Sequence, residues 1–237
     1  MARLRGSKVL IIGGASGVGF AVAAAALEAG AQVVVGSSQA ARIEAAAGKL
    51  GSGARGLTVD VRDEASVSAF FEEAGRFDHL VFTAGDWGQM RGATRELDVE
   101  ASKARMEVRF WGAARAAKYA LSHIADQGSI TLTGGMLAHR PMPGAPLTTA
   151  SAHSTEGLAI GLARDLAPIR VNAVCLGLIT SEQVQGMGEA TIKAFTANLP
   201  LPRPGTVEEA AEAYLYLMRA TYVTGQIVRV DGGGSLV

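Results

Sequence analysis

The sequence has few of the features that mark secreted, nucleic-acid-binding or membrane-spanning proteins. Its 237 residues include one cysteine, Cys175, which excludes an internal disulfide framework and lies in an apolar run typical of a small buried side chain. The 22 basic and 22 acidic residues cancel, so the charge favours neither nucleic acid nor an anionic membrane surface as a partner. The apolar run from Val9 to Ile12 is too short for a signal peptide or a membrane span. These absences predict a soluble cytoplasmic protein.

The composition favours an ordered α/β protein. The chain is 49% hydrophobic and 19% charged, which provides for a sizeable core and argues against disorder. Its length suits one large domain, so we expect a single Rossmann-type domain over residues 1–237. Strand-like runs alternate with helical ones, and some strands, such as Gln32-Val33-Val34-Val35, are apolar throughout. This pattern predicts a doubly wound, seven-stranded parallel sheet flanked by helices on both faces.

The predicted elements follow one another in regular order. We expect strands over 8–12, 31–36, 56–60, 79–83, 129–133, 170–176 and 226–230, and helices over 17–29, 39–50, 64–74, 99–126, 148–167, 190–197 and 207–219. In such sheets a ligand binds beyond the carboxyl ends of the strands, at the point where the strand order reverses. Segments 86–95 and 178–201 follow the fourth and sixth strands, and we predict a lid or pocket wall there, with ordinary surface loops as the alternative.

A glycine-rich turn near the amino terminus has the most informative chemistry. Gly13, Gly17 and Gly19 follow the first strand and open the first helix, with Ser16 and Val18 between them. Glycines let a phosphate approach without a Cβ in the way, and the helix N-terminus offers unpaired N–H groups and the positive end of a dipole. Strand, glycine turn and helix together predict a phosphate cradle.

With this turn the sequence resembles the short-chain dehydrogenase/reductase family over nearly its whole length. Asp60-Val61 looks like the family's adenine contact, and Thr83-Ala84-Gly85 looks like its Asn-Asn-Ala-Gly motif, with Phe82 and Thr83 in place of the asparagines. Segments 169–174, 202–209 and 222–233, with Gly177, are also close to family motifs. The resemblance implies a nicotinamide dinucleotide cofactor, contacted further by Ala84, Gly85, Gly177 and Ile179.

The end of the second strand bears on which dinucleotide binds. NAD enzymes place an acid there for the ribose hydroxyls, and we assign this position to Gly36. Ser37, Ser38 and then Arg42 follow it, so two hydroxyls and a guanidinium could receive a 2′-phosphate that no acid repels. We therefore predict NADP(H) rather than NAD(H). The alternative is that Arg42 is only a solvated helix residue.

The resemblance also implies four catalytic residues, and this sequence has none of them at the matching positions. The family uses a tyrosine proton donor, a lysine four residues later, a serine that polarises the carbonyl and an asparagine that holds a water. This sequence has no Tyr-x-x-x-Lys anywhere. Alignment places Thr148 at the tyrosine, Ala152 at the lysine, Gly135 at the serine and Arg109 at the asparagine.

Two residues are candidates for substitute roles. Arg109 cannot act as a general acid, but it could clamp a carboxylate or phosphate, or supply the positive field of the missing lysine. Its alternative is an ion pair on a helix face. His139, in a loop after Gly135, has a side chain suited to proton transfer, and a solvated loop histidine is its alternative. Asp86 and Trp87 could line the pocket or lie exposed.

Three functional hypotheses follow from these residues. The first is an NADP(H)-dependent oxidoreductase with an altered active site, acting on a small carbonyl or alcohol. The second is a dinucleotide-binding sensor or silent partner subunit, and the third is non-redox chemistry in the same pocket. Small residues on the fourth and fifth helices, resembling the family's subunit contact, predict a homodimer or homotetramer. We expect a small-molecule substrate, no nucleic acid, no membrane and no metal.

Overall fold

The computed structural model describes residues 4–85 and 92–237. The strands are β1 (Lys8–Ile12), β2 (Gln32–Ser37), β3 (Ala54–Thr58), β4 (Phe77–Phe82), β5 (Ile124–Gly135), β6 (Arg170–Leu176) and β7 (Ile227–Val230). They pair in parallel, in the order β3-β2-β1-β4-β5-β6-β7. The predicted seven-stranded, doubly wound parallel sheet is therefore confirmed.

Helices connect the strands on both faces of the sheet. They are α1 (Gly17–Glu28), α2 (Ala40–Leu50), α3 (Glu64–Ala74), α4 (Val99–Met106), α5 (Gly112–Ala120), α6 (Pro146–Asp165), α7 (Glu182–Gln185), α8 (Glu189–Thr196) and α9 (Val207–Arg219). A π-helical turn, Glu107–Trp111, joins α4 to α5. Among the described residues, no helix combines the length and the apolar character needed to span a bilayer.

The apolar strands are buried on both sides because helices cover both faces. Leu10 and Ile12 pack into a cluster with α3, α5 and α6, whereas Val9 and Ile11 pack into a second cluster with α1 and α9. All four side chains are almost completely shielded from solvent. This double coverage explains why the strands read as continuous apolar runs rather than as alternating ones.

The order of the strands places a cleft at the carboxyl end of β1. Ile12, the last residue of β1, pairs with Gly36 of β2 on one side and with Phe82 of β4 on the other. The connections run outward in opposite directions from this point, so the loops after β1 and β4 diverge and leave space above the sheet edge. The glycine turn between β1 and α1 borders that space.

Several boundaries differ from the sequence prediction. The helix predicted over 99–126 is divided into α4, the π-helical turn and α5, and β5 begins already at Ile124. The third strand lies two residues earlier than predicted, and α7 is an additional helix in segment 178–201. A π-helical turn is a rare, single-turn feature, so a prediction based on 3.6 residues per turn does not locate it.

Candidate functional site

A cavity of about 820 Å³ lies at the switch point of the sheet. It extends from the glycine turn and the end of β2 to the ends of β4 and β5, and α4 and α7 border it. Its lining includes most of the predicted cofactor residues, namely Gly13, Ser16, Gly17, Val18, Gly19, Ser37, Ser38, Arg42, Asp60, Val61, Ala84 and Gly85. The fold therefore brings these residues together from four separate segments of the chain.

The glycine turn is shaped by close backbone packing. A Cβ at Gly19 would lie 2.3 Å from the Gly13 carbonyl oxygen and 2.5 Å from Thr83 Oγ1, so no larger residue fits there. Gly13 and Gly17 have φ values of +94° and +53°, which side chains disfavour. Ser16 precedes α1 in an extended conformation, and no described side chain caps this helix. The N–H groups of its first turn thus face the cavity.

The end of β2 presents hydroxyl groups and a guanidinium to the cavity. The strand ends at Ser37, one residue beyond Gly36, so Ser37 occupies the strand end to which the sequence analysis had assigned Gly36. A Cβ at Gly36 would lie 2.9 Å from the Phe70 ring, which leaves no room for an acid at that residue. Ser37, Ser38 and Arg42 all line the cavity.

Asp60 is fixed at the same end of the cavity by an arginine that the sequence analysis did not single out. Arg62 donates to both carboxylate oxygens of Asp60, from Nε at 2.9 Å and from Nη2 at 2.7 Å. The Arg62 hydrogen bonds hold the pKa of the Asp60 carboxyl below its ordinary value. The nearest sequence signal is that Arg62 lies two residues after Asp60.

Cationic side chains outnumber acidic ones along the cavity. The lining contains four arginines, Arg42, Arg62, Arg105 and Arg109, and two acids, Asp60 and Glu182, within the described chain. The described lining therefore has more positive than negative formal charge, which suits an anionic ligand. A dinucleotide diphosphate has this charge.

The floor of the cavity is held by a buried hydroxyl pair that the sequence analysis missed. Thr133 Oγ1 donates to the Phe82 carbonyl oxygen at 2.7 Å and lies 2.8 Å from Tyr214 Oη. Because the single Thr133 proton goes to Phe82, the Tyr214 hydroxyl is the donor to Thr133. Burial raises the pKa of Tyr214, so this phenol stays neutral. No sequence motif predicts this hydrogen bond, since Thr133 and Tyr214 lie 81 residues apart.

Arg109 projects into the cavity from the π-helical turn. The residue is only 5% exposed, yet it lines the cavity. A Cβ at Gly85 would lie 2.6 Å from Arg109 Cγ, so the missing side chain at Gly85 is what lets the arginine stem pass. Arg109 is therefore a buried cation beside the Thr83-Ala84-Gly85 segment.

His139 makes its contacts away from this cavity. Its Nε2 lies 3.0 Å from both carboxylate oxygens of Glu156, and Arg229 Nη2 lies 3.3 Å from its Nδ1. His139 is not among the described residues that line the cavity. Its role as a general acid stays a prediction, although its ring is already engaged on both sides.

Comparison with known proteins assigns the family. A family model described as enoyl-(acyl carrier protein) reductase matches residues 13–235. The chain is 34% identical to the "Short-chain dehydrogenase/reductase ucsE" of Acremonium sp, over 98% of this chain and 96% of that protein. The chain belongs to the short-chain dehydrogenase/reductase family. A human 3-oxoacyl-[acyl-carrier-protein] reductase is 30% identical, over 96% of this chain and 97% of that one.

Solved structures agree with this assignment. The MalC reductase/Diels-Alderase from Malbranchea aurantiaca superposes with a TM-score of 0.92 at 30% identity, covering 99% of this chain and 98% of that one. A small-chain dehydrogenase in complex with NADPH gives a TM-score of 0.84 at 33% identity, covering 98% and 99%. This chain is thus an oxidoreductase of the short-chain dehydrogenase/reductase type, a family that binds nicotinamide dinucleotides.

The positions that align with the family's catalytic residues lie on three elements, namely the π-helical turn, β5 and α6. Gly135 is the last residue of β5 and pairs with Leu176. Thr148 and Ala152 lie one turn apart on a buried face of α6. Of the four positions, only Arg109 is among the described residues that line the cavity of this short-chain dehydrogenase/reductase.

The segment after β6 borders the cavity only in part. Gly177 packs against Asp231, where a Cβ would lie 2.6 Å from the Asp231 Cα, and Ile179 lines a second, smaller cavity of about 330 Å³. Ser181 and Glu182, at the start of α7, line the larger cavity opposite the glycine turn. Asp86 and Trp87, the other predicted wall residues, lie outside the described residues.

Proposed function

We propose that this chain is an NADP(H)-dependent oxidoreductase with an altered active site, which transfers hydride to or from a small carbonyl or alcohol. The observation that carries the proposal is the position of Ser37, Ser38 and Arg42 together on the cavity wall at the end of β2. Two hydroxyls and a guanidinium suit the 2′-phosphate of NADP(H), whereas an NAD site needs an acid at this place.

The cavity fits a dinucleotide along its length. The part of the cavity beside the glycine turn would receive the diphosphate next to the N–H groups of α1, with Ser16, Gly17 and Val18 beside it. Asp60 and Val61 contact the adenine end. At the other end Ala84 and Gly85 lie beside the nicotinamide ribose, and the bend at Gly177 and Ile179 positions the segment that leads to α7.

When bound, the cofactor supplies or accepts the hydride. The residues of this chain then have to orient the carbonyl and stabilise the oxygen that becomes negative. The Thr133 hydroxyl cannot protonate that oxygen because its proton is donated to Phe82. Thr148 is an unactivated alcohol, and a guanidinium does not release a proton. Arg109 instead stabilises the alkoxide by charge, and water supplies the proton that completes the alcohol.

The relative sizes of two catalytic contributions, proton donation and orientation, allow hydride transfer without a general acid from the protein. A positioned general acid is worth about 3–5 kcal/mol, whereas orientation of the reactants supplies up to about 7–11 kcal/mol. The larger contribution needs only a bound cofactor and a shaped pocket. We therefore expect turnover that is slow on plain ketones.

Non-redox chemistry in the same cavity is the second candidate. The Malbranchea protein, which is named as both a reductase and a Diels-Alderase, has a TM-score of 0.92 to this chain. A protein with the same fold is therefore named for a reaction that transfers no hydride. The absence of tyrosine and lysine at Thr148 and Ala152 is compatible with that chemistry.

We further propose that residues 1–237 form one domain and that the protein is a cytoplasmic homodimer or homotetramer with a small-molecule substrate. Trp111 and Ile160 are large hydrophobic residues that are each 53% exposed. A Cβ at Gly157 or Gly161 would meet nothing within 4 Å, so α6 can approach a neighbouring helix closely. These residues support an interface between copies of the chain.

One pair of measurements tests the proposal. Fluorescence titration should show NADPH binding at micromolar concentration or below, and tighter than NADH. Transfer of deuteride from labelled NADPH to a panel of aldehydes and ketones should then be detected by mass spectrometry. Tight NADPH binding without transfer would favour the silent or non-redox alternatives, and no binding at millimolar NADPH would refute all nucleotide-dependent roles.

A further inference from the structure

We propose that His139, Glu156 and Cys175 form a binding site for one divalent transition-metal ion, for which zinc is the best match. An imidazole nitrogen, a carboxylate oxygen and the thiol sulfur all lie within 4.8 Å of one another. The site is separate from the proposed nucleotide cavity, since none of the three is among the described residues lining it. The inference does not depend on the proposed function.

Three elements converge to assemble the cluster. Cys175 lies near the end of β6, Glu156 lies on α6, which packs over that strand, and His139 ends the one-turn helix that follows β5. Gly134 of β5 pairs with Cys175, and a Cβ there would lie 3.4 Å from Glu156 Cγ and Oε1. The glycine thus leaves the space in which the carboxylate lies over the sheet.

The donor set has the chemistry that zinc prefers. Zinc binds thiolate, imidazole and carboxylate at about 2.0–2.3 Å, and sites with three protein ligands keep a fourth position for water. A tetrahedral ion would separate its nitrogen and oxygen ligands by about 3.4 Å. The observed distance from His139 Nε2 to Glu156 is 3.0 Å, so this pair has to separate slightly, and the His139 side chain is 22% exposed and has room to move.

The Cys175 thiol has to lose its proton before it can bind a metal ion. Burial, and then the neighbouring Glu156 carboxylate, raise the pKa of the Cys175 thiol, so it is protonated at neutral pH. Asp231 acts in the same direction and Arg229 in the opposite one. A bound divalent ion reverses this balance, because the metal takes the thiolate and releases the proton.

Arg229 competes with the metal. Its guanidinium donates to His139 Nδ1, which makes Nε2 the protonated nitrogen facing Glu156. A metal on Nε2 leaves the ring proton on Nδ1, where a second donor is unfavourable. Arg229 is exposed and borders the second cavity, so it can turn away toward solvent. Metal entry is therefore expected from this side.

The experiment uses tag-free, chelator-treated protein titrated with Zn²⁺ and, as a spectroscopic probe, Co²⁺. We expect one ion per chain by elemental analysis, release of protons on binding and a higher melting temperature with zinc. With cobalt we expect near-ultraviolet thiolate charge-transfer absorption. Cobalt binding without that absorption, or no binding of either ion at micromolar concentration, would overturn the assignment.

Single-residue variants distinguish zinc binding at this site from nonspecific zinc binding by other histidines. H139A and C175S should each weaken zinc binding at least 100-fold, which is at or beyond the upper end of the roughly 10–100-fold effect of outer-shell partners. H153A is the matched control, since the His153 ring lies 5.8 Å from His139 but is bonded to Thr149. An equal loss in H153A, or unchanged affinity in C175S, would contradict the ligand set.

Removal of the competing arginine gives a test in the opposite direction. R229A should bind zinc more tightly, by about tenfold, because both a cation and a hydrogen-bond competitor are lost. R203A is its control, since Arg203 borders the same second cavity but is paired with Glu209. Weaker binding in R229A, or the same gain in R203A, would contradict the role of Arg229.

Discussion

The hydroxyl groups of Tyr214 and Thr133 lie 2.8 Å apart beneath the proposed nicotinamide site. Tyr214 belongs to α9 and is completely buried, whereas Thr133 belongs to β5 and borders the cavity. Thr133 in turn donates to the carbonyl of Phe82 at the end of β4. This chain of two hydrogen bonds connects a helix on one face of the sheet to the two strand ends that form the cavity floor.

Removal of the two hydroxyls should have unequal effects on stability. Y214F loses one hydrogen bond but leaves Thr133 paired with Phe82, so we expect a loss of about 1 kcal/mol in the free energy of unfolding. T133V leaves the Tyr214 hydroxyl buried without a partner, so we expect a loss of about 2–3 kcal/mol. Urea denaturation measures both, with the exposed Tyr216 changed to Phe as the control. Equal losses in the two variants would contradict the proposed direction of donation.

The preference for NADP(H) should depend on the residue at the end of β2. S37D places a carboxylate where the 2′-phosphate is expected, and like-charge repulsion should weaken NADPH binding about 10- to 100-fold while NADH binding is kept or improved. Q32D makes the same change of charge at the exposed start of β2 and serves as control. A parallel fall for both nucleotides in S37D would indicate a folding defect instead of a change in specificity.

The glycine turn should tolerate no added side chain. In G19A the new Cβ would meet the Gly13 carbonyl oxygen and the Thr83 hydroxyl, so we expect loss of nucleotide binding by titration and a lower melting temperature. G48A is the matched control, because a Cβ at this position in α2 meets nothing within 4 Å. It should gain about 0.5–1 kcal/mol in stability from helix propensity. Unimpaired NADPH binding in G19A would argue against the diphosphate position.

The folded protein should become less stable as the pH is lowered, because it contains a buried histidine. His79 is bonded to Ser129, and burial lowers its pKa from 6.5 to about 4. Below pH 6.5 His79 of the unfolded chain binds a proton, whereas His79 of the folded protein stays neutral until about pH 4. Unfolding is therefore favoured as the pH falls through this window. The contribution is about 1.4 kcal/mol per pH unit, or about 3 kcal/mol over the whole window.

Comparison of H79Q with the parent isolates this contribution from that of the carboxylates. Denaturant titrations at several pH values should give a shallower decline for H79Q between pH 6.5 and 4, even if its stability at pH 7 is lower. H153Q, which changes an exposed histidine, should decline like the parent. Identical slopes for H79Q and the parent would show that His79 titrates normally.

Restoration of the family's catalytic residues should increase carbonyl reduction. The variant combines G135S, T148Y and A152K with R109N. Because Thr148, Ala152 and Arg109 are all buried, the larger tyrosine and lysine need the space that the arginine vacates. We expect a gain of about 10²- to 10⁴-fold in kcat/KM on simple ketones, the usual contribution of a positioned acid. A folded, NADPH-binding variant with no gain would indicate that the substrate pocket has also changed.

The fold could be predicted because its signals are local and repeated. Apolar strands of the β1 type require helices on both faces, and the glycines allow the positive φ of Gly13 and Gly17 and the close backbone packing at Gly19. The boundaries of the helices and strands were less predictable. The π-helical turn at Arg109 and the strand end at Ser37 depend on hydrogen bonds that the hydrophobic pattern does not encode.

The sequence by itself determined the parallel sheet, the glycine turn that opens α1 and the absence of a Tyr-x-x-x-Lys motif, because each follows from residues close together in the chain. Only the tertiary structure decided which distant side chains meet. Thr133 and Tyr214 are 81 residues apart, and His139, Glu156 and Cys175 come from three elements, so no spacing rule joins them. Their contacts are set by how α6 and α9 pack on the sheet, a long-range result of burying apolar surface on both faces.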